Sequence, residues 1–180
     1  MDRIFAFSNS KISILNIFTY IVFIGLFFFS GYLNAQKQIK SYFATEMMDL
    51  NGFKIPTDSV LSTNKPLVIV FWATWCKPCL KELTSLAELY YESGGELPYS
   101  VITINIDDSR AKSKIAPLVK ANRWPFKVYL DQNQNLLRSL GFNTVPALAI
   151  VNKEKEVIHL KTGYLEGDEY ELEDWIKNSP

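Results

Sequence analysis

The sequence predicts an α/β domain: a mixed central sheet with helices on both faces, led by an N-terminal β-hairpin. Three observations predict it. Residues 67–72, 99–106 and 147–151 are runs of aliphatic, β-branched and aromatic residues, as buried strands are. After the first of them, Cys79, Leu80, Leu83, Leu86, Ala87 and Tyr90 recur at spacings of three and four, which puts one apolar stripe on a helix of about four turns. The order strand, helix, strand, helix, strand, then two hairpin-connected strands and a closing helix, is that of a mixed sheet covered on both sides.

Taken in chain order, residues 43–51 and 52–60 form the leading hairpin, turning at Asn51-Gly52, a dipeptide suited to a tight primed turn. Residues 67–72 are the first core strand, and the helix after it stops before Ser93-Gly94-Gly95. The second core strand covers residues 99–106. Residues 109–122 read as a helix that Pro117 makes begin late or kink, and Trp124-Pro125-Phe126 leads into a strand at 127–130. Residues 131–135 are a polar turn, and 136–140 a short helix ended by Gly141. Pro146 opens a strand through Val151, residues 152–156 turn, 157–161 return antiparallel, and 166–177 close the chain as a helix.

Ahead of this domain stands an export segment. Arg3 and Lys11 precede residues 12–29, an uncharged apolar run of 18 residues. Two readings fit. Ala35, with Leu33 two positions earlier, suits signal-peptidase cleavage, which makes residues 1–35 a signal peptide. Alternatively the run, about 27 Å long as a helix, stays as a membrane anchor through residues 12–33. Either way residues 36–180 form one domain facing away from the cytosol, in the periplasm or cell envelope. That domain carries 17 basic and 18 acidic residues, so no basic field for nucleic acid emerges.

The chemistry centres on Trp75-Cys76-Lys77-Pro78-Cys79, which holds the only two cysteines of the chain. Four readings of such a pair compete. Zinc needs four ligands, and beyond these two the chain offers only His159. Haem attachment needs histidine after the second cysteine, where Leu80 stands. A purely structural disulfide across so short a loop stabilises little. A reversible dithiol/disulfide couple fits the strand-turn-helix context best. Cys76 lies at the helix start, where unpaired N–H groups, the macrodipole and adjacent Lys77 favour a thiolate. Cys79 lies within the first turn, facing the core.

The segment Phe71-Trp72-Ala73-Thr74-Trp75-Cys76-Lys77-Pro78-Cys79 resembles the active site of the thioredoxin superfamily, and within it the TlpA-like and ResA-like extracytoplasmic thiol-disulfide oxidoreductases. The resemblance runs over residues 43–175, with Thr144-Val145-Pro146 as a second anchor. It implies that Pro146 is the family's cis-proline and that Thr144, Val145 and Pro146 meet the substrate chain. On sequence alone, an ordinary trans proline opening a strand fits equally. Cytoplasmic thioredoxins usually carry a buried aspartate where this chain has Val70. The TlpA/ResA-like branch instead resembles it in having a glutamate at Glu82, followed here by Leu83-Thr84 rather than by an apolar residue and a helix-kinking proline.

Glu82 lies one helical turn beyond Cys79, placed to take its proton during exchange. The plain alternative is a solvated glutamate on an amphipathic helix, and as a helix-surface carboxylate its replacement should leave the fold nearly intact. Trp75 reads as an apolar contact for partners or as a packing residue, and Trp72 as core. Asp107-Asp108 reads as a solvated strand end rather than an acid pair. Gly163-Tyr164 reads as a turn near the active-site rim, and His159 receives no catalytic role.

The resemblance implies exchange with protein disulfides and dithiols, without metal or organic cofactor, most often as a reductant that draws electrons from a membrane donor. Several such proteins serve cytochrome c maturation. A disulfide-forming oxidant or isomerase is the neighbouring reading. A thioredoxin-like envelope binding module with a permanently closed disulfide is the non-enzymatic one. A cysteine peroxidase expects a hydroxyl residue three positions before its cysteine, where Ala73 stands.

Overall fold

The computed structural model describes residues 20–26, 42–61 and 63–178. The chain divides into two units, residues 1–38 and 39–180. In the first, residues 20–26 are helical and exposed. The rest of the apolar run and the cleavage position at Ala35 lie outside the described residues, among which no helix is long and apolar enough to cross a membrane.

The second unit is a seven-stranded mixed sheet flanked by helices, the thioredoxin-like fold. Its strands are β1 (Glu46–Asp49), β2 (Lys54–Pro56), β3 (Leu67–Trp72), β4 (Ser100–Asn105), β5 (Lys127–Leu130), β6 (Ala147–Val151) and β7 (Val157–Thr162), in the spatial order β2-β1-β5-β4-β3-β6-β7. The pairs β3/β4 and β4/β5 are parallel, while the two hairpins and the junctions β1/β5 and β3/β6 are antiparallel. Every residue of β3 and β6 is buried, so both faces of the sheet centre are covered, which is why these strands read as unbroken apolar runs. The core gathers Phe71, Trp72, Ile69, Leu83, Leu86 and Ile104, with Trp72 set edge-on to Trp124 at 5.4 Å between centroids.

Helices α1 (Thr57–Val60), α2 (Lys77–Glu92), α3 (Lys112–Ala121), α4 (Asn135–Ser139) and α5 (Asp168–Asn178) complete the unit. Helix α2 packs on β3 and on α5, and α5 also meets β7. A 3-10 turn at Ser109–Ala111 precedes α3, which therefore begins late and then continues through Pro117.

The leading hairpin departs from expectation twice. Its loop has three residues, 50–52, closed by Asp49 N–H to the Phe53 carbonyl and by Phe53 N–H to Asp49 Oδ1 at 2.8 Å, with Gly52 at φ +96°. A side-chain acceptor at Asp49 and a left-handed glycine suit this longer loop better than a two-residue turn. Its second arm is also short. Pro56 cannot donate to the ladder, and Thr57–Val60 turns into α1, with Thr57 N–H held by the Thr45 carbonyl at 3.0 Å.

Candidate active site

The carboxyl end of β3 delivers the cysteines to the start of α2. Trp72 closes the strand, Cys76 N–H bonds back to the Ala73 carbonyl at 3.1 Å, and Cys76 becomes the N-cap of α2 with Pro78 in its first turn. Cys76 Sγ accepts from the Cys79 N–H at 3.3 Å, so sulfur occupies the place that a capping oxygen usually fills. Those same N–H groups would stabilise a thiolate. Cys76 and Cys79 are joined as a disulfide. Cys79 is 0% exposed and Cys76 4%, so what little of the pair is exposed is Cys76.

Register explains why the loop ahead of β6 borders this site. Phe71 of β3 pairs with Ala147 of β6, so Pro146, Val145 and Thr144 continue past the same sheet end as Trp72 and the cysteine loop. The Val145-Pro146 bond is cis. The Pro146 carbonyl accepts from Gly163 N–H at 2.8 Å, which joins the segment after β7 to the same rim, with Gly163 at φ +84°. Val145 and Pro146 are buried and Thr144 is exposed. Trp75, at 67% exposure, is no packing residue. His159 stacks on Trp175 with centroids 4.5 Å apart.

Asp107 corrects the sequence reading. It is not a solvated strand end, being 3% exposed, and its Oδ2 accepts from Thr74 N–H at 2.8 Å and from Asn105 Nδ2 at 2.9 Å. The loop after β4 thereby clamps the loop that carries the cysteines. Only Asp108 behaves as expected, exposed and accepting from Arg110 N–H at 2.9 Å. The local part of the arrangement is Asp107 N–H donating to Asn105 Oδ1 at 3.0 Å, a short-range turn of the kind Asn-x-Asp permits; the contact to Thr74 is not local.

The solvated, helix-surface reading of Glu82 is the second correction. The residue is not on the helix surface: it is 4% exposed, on the buried face of α2 together with Cys79, Leu83 and Leu86. Burial pushes its carboxyl up to about 8, Asp168 and Glu169 push the same way, and Lys161 opposes them. Among the described residues its Oε2 has no hydrogen-bond partner. A carboxyl in this setting holds or releases a proton near neutral pH, which a solvated glutamate cannot do.

A bonded cysteine pair at a helix start, on a thioredoxin-like sheet, defines a thiol-disulfide oxidoreductase of the thioredoxin superfamily. The Redoxin family model matches residues 45–176, and the chain belongs to that family. Sporulation thiol-disulfide oxidoreductase A of Bacillus subtilis is 24% identical over 163 residues, covering 88% of this chain and 94% of that protein. Thiol-disulfide oxidoreductase ResA of Bacillus cereus is 27% identical over 162 residues, covering 86% and 87%. Among solved structures, an uncharacterized thioredoxin-like protein from Porphyromonas gingivalis superposes with a TM-score of 0.63 at 33% identity, over 74% of this chain and 88% of its own. StoA from Bacillus subtilis gives 0.57 at 22%, over 73% and 95%.

Proposed function

We propose that this protein reduces protein disulfides outside the cytoplasm, with Cys76 as the entering nucleophile, Cys79 as the resolving thiol and Glu82 as the acceptor of the Cys79 proton. The observation that carries the reading is the pairing of a helix-capping Cys76 with a fully buried Cys79 and an equally enclosed Glu82 one turn further on. Trp75, Thr144, Val145 and Pro146 are the proposed docking rim for the partner chain.

In the reducing direction, the Cys76 thiolate attacks one sulfur of the partner's disulfide and expels the other as a thiolate. The Cys79 thiol then passes its proton to Glu82, and the new thiolate attacks Cys76 Sγ. The Cys76–Cys79 disulfide forms, the mixed disulfide breaks, and the partner leaves with two electrons and two thiol groups once its sulfurs are protonated. The bonded pair in this structure is the end state of that cycle. A dithiol donor must return two electrons, and for an exported domain that donor is in the membrane. Chemistry of this kind serves the thiols of apocytochrome c among other exported substrates.

The export reading rests on residues 12–29, whether the segment is cleaved after Ala35 or kept as an anchor.

Titrating the purified domain against glutathione tests the direction. A reversible two-electron transition at or below about −220 mV is expected of a reductant, while a midpoint near about −120 mV would reverse the proposed direction. Cys79→Ser should accumulate mixed disulfides on Cys76, and trapping through Cys76→Ser instead would exchange the two roles.

A further inference from the structure

Glu82 is enclosed by charged groups from β7 and α5, elements that carry neither cysteine. It lines a cavity of about 10 Å³ whose polar walls are Tyr164, Asp168 and Glu169 and whose apolar walls are Leu86, Leu148 and Leu172. Asp168 of α5 is ion-paired through Oδ1 with Lys161 of β7, and its Oδ2 accepts from Leu165 N–H at 2.7 Å. Lys161 is held a second time, with Nζ 5.0 Å from the centroid of the Trp175 ring. Glu169 is otherwise engaged, accepting from the Tyr164 hydroxyl at 3.0 Å and from Gly167 N–H at 3.2 Å. The Tyr164 hydroxyl also lies 3.0 Å from Ser85 Oγ on α2. The cavity that Glu82 lines thus holds two further carboxylates, one of them ion-paired with the Lys161 ammonium behind it, and the Lys161–Asp168 pair is well shielded from solvent, with side chains 22% and 16% exposed.

We propose that the Lys161–Asp168 pair is a positioning element of the exchange reaction, one that tunes the readiness of Glu82 to accept the proton of Cys79 by setting the charge Glu82 meets across the cavity. The proposal rests on the reading of Glu82 as proton acceptor. Its physics has a sign. Asp168 repels a negative charge on Glu82 and Lys161 attracts one, so removing either partner moves Glu82 in opposite directions. A merely structural ion pair would not do that, because losing either end would disturb the site in the same sense.

The test follows the Glu82 carboxyl carbon by nuclear magnetic resonance against pH in the oxidised protein, in Asp168→Asn and Lys161→Met variants. The rate at which each reduced variant resolves a mixed disulfide is measured across the same pH range. The amide introduced by Asp168→Asn keeps an oxygen to accept from Leu165 N–H, and the side chain introduced by Lys161→Met keeps an apolar stem on Trp175. We expect the Glu82 midpoint to fall by about one pH unit in Asp168→Asn and to rise by about one in Lys161→Met, a tenfold change each way. The rising limb of the rate profile should shift with it, so that Lys161→Met resolves up to about tenfold more slowly at neutral pH. Midpoints that stay put, or move in the same direction in both variants, overturn the proposal. Glu82→Gln separates the two failures. If it leaves the resolution rate and its pH dependence unchanged, the proton-acceptor reading falls; if it abolishes the limb while the other variants leave midpoints unmoved, only the present proposal falls. Melting curves check the fold, and Lys161→Gln carries the same test if Lys161→Met unfolds.

Discussion

Replacing Glu82 by Gln should change the pH dependence of stability. In the folded chain the Glu82 carboxyl is raised from 4.5 to about 8, first by burial, then by Asp168 with Lys161 opposing, and also by Glu169. Between those values the folded protein holds a proton that the unfolded chain releases, so rising pH favours unfolding. The contribution is fully present below about pH 4.5 and is lost as pH rises through about 8. At about 1.4 kcal/mol per pH unit, the displacement amounts to at most about 5 kcal/mol, with relaxation and water entry reducing it. Gln is neutral and nearly isosteric with the protonated acid, so wild type and Glu82→Gln should be similarly stable near pH 4. The variant should become progressively more stable than wild type up to about pH 9. Urea unfolding of the disulfide-bonded forms at intervals across this range measures the difference directly. A wild type–variant difference that does not depend on pH would refute the reasoning, because it would mean that Glu82 titrates as a solvated carboxyl.

Two further predictions concern the loop that carries the cysteines. Asp107→Ala leaves Thr74 N–H and the Asn105 amide without their shared buried acceptor and should cost about 2–5 kcal/mol in urea unfolding, whereas Asp107→Asn retains an oxygen for both donors and should cost far less; equal effects of the two would show that the clamp is not the cause. Trp75→Ala, at an exposed site, should leave stability within about 0.5 kcal/mol yet slow exchange with protein disulfides about fivefold and leave exchange with oxidised glutathione unaltered; equal slowing toward both substrates would remove Trp75 from the docking rim.

How far the fold could be read ahead depends on where its specification is local. The segments 67–72 and 127–130 match β3 and β5 to the residue, the first because it is an unbroken apolar run and the second because it stands between Pro125-Phe126 and the polar turn at 131–135. Helix α2 was legible from its stripe, which put Cys76 at the helix start, where the structure makes it the N-cap. The second hairpin arm was overextended: Pro56 marks its end locally, but the capture of Thr57 N–H by the Thr45 carbonyl, which turns the chain, is not announced in the sequence. That bond joins residues twelve apart, and one-dimensional periodicity does not carry it. Asp107 was missed for the same reason: its partner Thr74 lies on another strand's loop, 33 residues away.

Glu82 shows what sequence and structure each contribute. Its spacing from Cys79 placed it on the right helical face, but spacing could not say whether that face was wet. Val70 is fully buried and apolar, so a carboxylate that takes the proton of Cys79, as proposed, has to be another enclosed one. Among the described residues the buried carboxylates are Glu82, Asp107, Asp131 and Glu169. Asp107 is committed to Thr74 and Asn105, Asp131 caps α4 through the N–H groups of Asn135 and Leu137, and Glu169 holds Tyr164 and Gly167. Each of these three is already engaged as a hydrogen-bond acceptor. Among the described residues Glu82 is the one of the four with a fully enclosed oxygen that accepts nothing, on the same helix as Cys79, so protonating it there sacrifices no hydrogen bond and relieves a buried charge. The proton acceptance proposed for Glu82 would therefore draw on the same burial that makes its ionised form costly to the fold.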